Sequence, residues 1–209
     1  MEAGNVATVV RRGDTGTAER ILDVAERLVQ TKGFNAFSYA DVAGELRLSK
    51  PSLHYHFASK ADLGAALIDR YAARFADALR GIDSTATTSS SKLRDYAHLY
   101  ADVLDQQRMC LCGMLAADFD TLPAPMRRSV VRFFDDSEAW LTGVLDAGRS
   151  DGTLHFAGSA REQAQLVISA LEGAMLVARS YHDAARFRAA AEHLIAALAA
   201  TPATRRSRR

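Results

Sequence analysis

Prolines are few, at Pro51, Pro123, Pro125 and Pro202, so little stops a helix from running on. Cysteine is scarcer still, with only Cys110 and Cys112. One residue between them is too short for an unstrained bridge, and two thiols make no secreted disulfide framework. A reducing compartment, the cytoplasm, is the expectation. An excess of charge is also missing: 26 Lys and Arg against 25 Asp and Glu leave a net +1. A surface basic all over is thereby excluded, and any contact with nucleic acid has to be local. No apolar run approaches the ~20 residues of a membrane-spanning helix. The first twelve residues hold no apolar core of signal-peptide length, so a soluble intracellular protein is expected. Strand-like alternation is nearly absent. No acid–base pair stands out as catalytic, which argues against an enzyme, and no cofactor is implied.

Helical spacing fills the space those absences leave. Of the 209 residues 48% are hydrophobic, enough for a substantial core. Residues 17–32 place Ile21, Ala25, Leu28 and Val29 on one face. Gly33 stops that helix. Ser38 opens a short second helix with Asp41 three residues on, and Ser59 opens a fourth with Asp62 in the same relation. Between them Ser49 opens a very short third helix, with Pro51 in the first turn where its missing N–H costs nothing. The fourth helix is expected to end near Gly81. The polar run 83–91 is expected to be a mobile loop. Beyond it, helices are predicted over about 92–108, 109–119, 126–149, 160–182 and 186–200. The expected division is a disordered arm over 1–15, an N-terminal unit over 16–82, a larger helical unit over 92–200 and a disordered basic tail over 201–209.

The stretch 38–60 carries the chemistry. Two short helices joined by a tight turn and braced by a long one form a helix-turn-helix pattern. In the second of them Leu53 and Phe57 are four apart and point inward. Lys50, Pro51, Ser52, His54, Tyr55 and His56 are left for the outside, a face able to donate to bases and phosphates and to pack on thymine methyls. His54 and His56 cannot share a metal, because helix residues two apart point about 200° from each other. His56 has a second reading, as a core histidine that supports Tyr55.

Residues 17–80 resemble the TetR family of bacterial regulators, on the run Leu48-Ser49-Lys50-Pro51-Ser52-Leu53-His54-Tyr55-His56-Phe57, then Ser59-Lys60-Ala61-Asp62-Leu63, and on Ala40-Asp41-Val42-Ala43. The resemblance implies an all-α protein of about nine helices, a DNA-binding domain followed by a ligand-binding and dimerisation domain. It implies a one-component regulator, a repressor that binds palindromic operator DNA as a homodimer and is released by a small-molecule or electrophile effector. Ser38, Ser49, Lys50, Pro51, Ser52, His54, Tyr55, His56 and Lys60 are the implied DNA-binding residues, with His56 and Lys60 on phosphates. His54 departs from the family's common Tyr. The alternative is a helical ligand carrier or enzyme whose N-terminal unit is vestigial.

The second part says less. Tyr100, Cys110, Met114, Phe133, Trp140 and Met175 are candidates for effector binding or sensing, because pockets between helices are mostly apolar. Asp118, His155 and Tyr181 are possible polar partners. Cys110 and Cys112 read either as small packing residues or as a sensor. The sensor reading needs an electropositive neighbour, for which Arg108 is the candidate. Two apolar stripes, Gln163, Leu166, Ile168, Leu171, Met175 and Ala178, then Phe187, Ala191, Leu194, Ile195 and Leu198, fit the family's four-helix dimer interface or an intrachain bundle.

Overall fold

The computed structural model describes residues 12–199. Within them the chain forms nine α-helices and no strand. They are α1 (Arg12–Lys32), α2 (Tyr39–Leu46), α3 (Lys50–His56), α4 (Lys60–Thr85), α5 (Ser89–Asp105), α6 (Leu111–Ala117), α7 (Ala124–Ser150), α8 (Ala160–Ser180) and α9 (Ala184–Ala199), with a 3-10 turn over Phe119–Thr121. The arm over 1–11 and the basic tail lie outside the described residues. Residues 12–15, expected in the arm, are instead helical. Glycines at 13 and 16 cost a helix about 1 kcal/mol each, yet they keep their backbone donors, so the helix runs through them.

α1 ends as its sequence dictates. Gly33 has φ 91, and a side chain there would be strained. Phe34 and Phe37 then turn into the core, their rings edge-on at 5.8 Å. α2 packs on α1, and α3 packs on α2. Their turn passes through Arg47 in the left-handed region (φ 55) and is held by the Leu48 N–H donating to the Ala43 carbonyl, 2.9 Å.

The expected loop at 83–91 is almost entirely helical, with only residues 86–88 between α4 and α5. The hydroxyls explain the difference. Ser84 and Thr85 donate back to the Gly81 carbonyl at 2.8 and 2.9 Å. Thr88 caps α5, its Oγ1 accepting from the Ser91 N–H at 3.1 Å. Asp83 accepts from Lys92 and from Trp140 Nε1. A run without apolar periodicity is thus ordered by side-chain bonds that periodicity does not register.

α5, α7, α8 and α9 pack together as a bundle, and α4 lies along α7 and α5 while also touching α1. The stripe predicted on α8 turns out to face its own subunit: Gln163, Ile168, Leu171, Met175 and Ala178 are buried. Only Leu166 of that set stays outside. Leu166, Leu176, Val177 and Tyr181 are four of the six exposed large apolar residues among those described. α8 therefore carries two apolar faces, one used by the bundle and one unpartnered within this chain.

Candidate functional site

α3 is anchored from below and dressed from above. Leu53 is fully buried, the one buried residue of the helix. Ser49 Oγ caps the first turn by accepting from the Ser52 N–H at 3.3 Å. Tyr39 of α2 donates to the Phe57 carbonyl at 2.8 Å and so ties the end of α3 down. Burial and the nearby Asp62 push the Tyr39 hydroxyl up to about 12, which keeps it a neutral donor. Lys50, Pro51, His54 and Tyr55 are exposed, while Ser52 and His56 are half-buried. At 75% exposure Tyr55 is the most exposed large apolar residue among those described. Its ring meets that of His56 edge-on at 5.3 Å.

Beside α3 a groove of about 410 Å³ is lined by Ser38, Lys50, His54 and Lys60 together with Phe37, Tyr39 and Ala40. Four of the residues singled out in the sequence thus share one concave surface. His54 is less free than its exposure suggests: Nδ1 lies 3.0 Å from the Ala58 carbonyl and the ring lies 4.8 Å from that of Tyr39. Lys60 is turned inward. Its Nζ donates to the Phe37 carbonyl at 2.6 Å and sits 4.6 and 4.4 Å from the centroids of Phe34 and Phe37. Desolvation lowers its pKa, against the pull of Asp118 and Asp41. Ser38 donates through both its backbone N–H (2.6 Å) and its hydroxyl (2.8 Å) to Asp41 Oδ2, which holds that carboxyl below its ordinary range.

The second unit grips the end of α1. The Met109 N–H donates to the Gln30 carbonyl at 3.1 Å. The Phe34 N–H donates to Asp118 Oδ2 at 2.9 Å, and Asn35 donates to Thr121 at 2.8 Å. Arg179 of α8 donates to the Thr31 carbonyl and to Met114 Sδ. On the far side Arg70 of α4 bridges Glu19, Asp23 and the buried Glu26 of α1, with Arg74 also on Glu26. α1 and its end are thus held by the 109–121 segment, by α8 and by α4.

Of the effector candidates, Tyr100, Cys110, Phe133 and Trp140 join one cluster, and Met114 and Met175 do not enter its bonding. Tyr100 and Tyr96 share a hydroxyl–hydroxyl bond of 3.0 Å. Tyr96 stacks on Trp140 at 5.6 Å, and Phe75 meets Phe133 at 5.0 Å. Cys110 Sγ accepts from the Tyr71 hydroxyl at 3.6 Å and the Gly113 N–H at 3.5 Å. Both cysteines are buried and unbridged. Burial first, and Glu172 second, push both thiols well up, the reverse of what a reactive thiolate needs. Arg108 is not among the groups that shift them. The other polar candidates serve elsewhere: Asp118 holds Phe34, the His155 N–H donates to the Leu198 carbonyl, and Tyr181 packs on Arg186.

Sequence reasoning missed Tyr71, Tyr96 and Glu172. A signal for Glu172 existed. It sits four residues after Ile168 and three before Met175, both buried, so helical spacing alone aims a carboxylate at the core.

Comparisons with known proteins bear on both units. The family described as "Bacterial regulatory proteins, tetR family" matches residues 21–67, and "Tetracyclin repressor-like, C-terminal domain" matches residues 90–194. A TetR-family transcriptional regulator from Agrobacterium tumefaciens has a solved structure that superimposes with TM-score 0.86 at 30% identity, over 90% of this chain and all of that one. The transcriptional repressor NemR of Escherichia coli is 26% identical over 170 residues, 78% of this chain and 84% of its own. Its reduced form superimposes with TM-score 0.76 over 90% of this chain and all of that one. The repressor DhaR of Mycobacterium sp. (strain GP1) is 22% identical over 166 residues, 78% of this chain and 82% of its own.

Proposed function

The chain belongs to the TetR family of transcriptional regulators, proteins that are not enzymes, and from that premise we propose that it is a repressor, working in the cytoplasm, which binds a palindromic operator as a homodimer and is released by an effector taken up in the second unit. The observation that carries the reading is the outer face of α3. It offers an ammonium, an imidazole and a phenol on a helix held by a single buried leucine. A structural helix has no need of such a face, whereas a major groove reads one.

Ser49, Pro51, Ser52, Tyr55 and His56 are proposed to meet the duplex along α3. Ser38, Lys50, His54 and Lys60 supply a hydroxyl, two ammoniums and an imidazole in one groove, the donor set that a phosphodiester uses. The unpartnered face of α8, with Leu166, Leu176 and Val177, supports dimerisation. A dimer sets two α3 helices about one duplex turn apart. An effector acts by favouring a state with another spacing. The bonds from Met109, Asp118 and Arg179 to the end of α1 give it a short route to the DNA-binding unit. The proposed units are 16–82 for DNA and 92–200 for effector and dimer.

Lys60→Ala tests the phosphate role. In a mobility-shift titration against duplexes that flank the protein's own gene, affinity should fall for all sequences alike. The slope of log K against log salt should shrink by about 1. An unchanged slope would confine Lys60 to its bond with Phe37. Absence of any retarded species at low salt would defeat the regulator reading.

A further inference from the structure

The polar cluster beneath α4 contains a charge with no counter-charge. Glu172 of α8 retains some exposure as a residue, but its Oε1 is shut off from solvent and accepts no hydrogen bond. Among the described residues none of the ion pairs involves it; Arg179, two turns along α8, is spent on Thr31 and Met114. Room for the carboxylate comes from Gly113, where an added Cβ would collide with Oε2 and stand 3.2 Å from Oε1. Burial pushes the Glu172 carboxyl up to about 7, and a hydrogen bond with Cys110 offsets this only in part.

The negative field of Glu172 reaches the hydroxyls of Tyr71, Tyr96 and Tyr100, and helps to raise all three. Their rings join through Phe75, at 6.2 Å from Tyr71, 5.9 Å from Tyr96 and 6.3 Å from Tyr100. Tyr71 also borders the outside. With Phe75 it lines a groove of about 290 Å³, whose rim includes Glu26, Arg74 and Arg108. From its hydroxyl Tyr71 donates to the buried Cys110, which in turn hydrogen-bonds Glu172.

A buried carboxylate with no counter-charge and an unsatisfied oxygen, in a core that also holds tyrosine rings, is complementary to one ligand chemistry above others, an organic cation. We propose that the effector is a cationic small molecule, an ammonium or amidinium on an apolar body, with its charge on Glu172 and its body among Tyr71, Phe75, Tyr96 and Tyr100. Anions are disfavoured by Glu172 itself. Metal ions are disfavoured by geometry, since among the described residues no three His, Cys, Asp or Glu side chains converge. The inference rests on the regulator reading for its consequence. Cys110 and Gly113 belong to the segment that begins at Met109, whose N–H holds α1 at Gln30. A body lodged beside Glu172 displaces that segment and so acts on the DNA-binding unit.

The test uses full-length protein and three matched probe sets: benzylamine, benzyltrimethylammonium and 1-naphthylmethylamine; their neutral counterparts benzyl alcohol and 1-naphthylmethanol; and the anions benzoate and 1-naphthoate. Binding is read by thermal shift and calorimetry, and operator affinity is read in parallel by anisotropy. Cations alone should raise Tm, Glu172→Gln should weaken them about tenfold or more, and Glu172→Asp should restore part of the binding. Equal shifts from neutral or anionic probes, no shift from any cation, or unchanged binding in Glu172→Gln would each overturn the proposal. Because operator affinity is measured without probe as well, such a failure is distinct from a failure of the regulator reading, which would appear as no binding to DNA at all.

Discussion

The two ends of this molecule use polar residues in opposite ways. α3 is a seven-residue helix that buries Leu53 alone and leaves its polar and aromatic groups in water. α7 and α8 bury eight residues each, and the core polar groups beside them, Glu172, Cys110 and three tyrosines, are shielded by that packing. An exposed donor is available because water satisfies it until a partner replaces the water. A buried one is available only if the fold leaves it unsatisfied, and the fold bears the cost. Readiness to bind is therefore cheap on α3 and costly at Glu172.

That contrast can be broken most sharply at its anchor. Leu53→Ala removes the one buried side chain of α3 and should cost about 2–5 kcal/mol locally. Amide exchange should then show α3 losing protection while α8 keeps it; equal losses in both would mean the two ends are not separable. Next comes the joint between them. Arg70→Ala leaves the buried Glu26 with Arg74 alone and should lower stability by about 2–3 kcal/mol, less than the ~3–5 of a buried pair broken outright. A denaturant midpoint unmoved by Arg70→Ala would show that α4 is not clamped to α1 through this cluster.

The pH dependence of stability follows from Glu172. Its folded pKa of about 7 lies above the ordinary 4.5, so between those values the native state holds a proton that the unfolded chain has released. Stability from this group falls as pH rises through that window, by about 1–3 kcal/mol, and the loss is complete above pH 7. Glu172→Gln should flatten the decline between pH 5 and 8; an identical decline in the variant would assign the pH dependence elsewhere. The smallest expected effect on stability belongs to the exposed Tyr55, proposed to meet DNA. Tyr55→Ala should leave Tm within the equivalent of about 0.5 kcal/mol while weakening specific operator binding by about tenfold. A large loss of stability would make Tyr55 a packing residue after all.

The helix-turn-helix was legible because its cues are local. Ser49, Pro51 and Leu53 specify a short helix and its inward face within five positions, and the structure keeps them in those roles. The run 83–91 was misread because its order comes from hydroxyls and from Asp83 reaching Trp140, 57 residues away. The α8 stripe left two readings open because Ile168 and Leu171 on one side and Leu166, Leu176 and Val177 on the other are all apolar. Periodicity finds an apolar face without saying which neighbour covers it.

By itself, then, the sequence determined the all-helical architecture, the helix ends marked by glycine and serine, and the chemistry of the face that α3 presents. Local spacing and capping suffice for each of these. Only the tertiary structure decided that Lys60 turns toward Phe37, that α8 keeps one apolar face open, and that the Glu172 carboxyl is buried beside Cys110 without a counter-charge. Those outcomes depend on which elements come together from far apart in the chain, and burial and desolvation act only once they have done so.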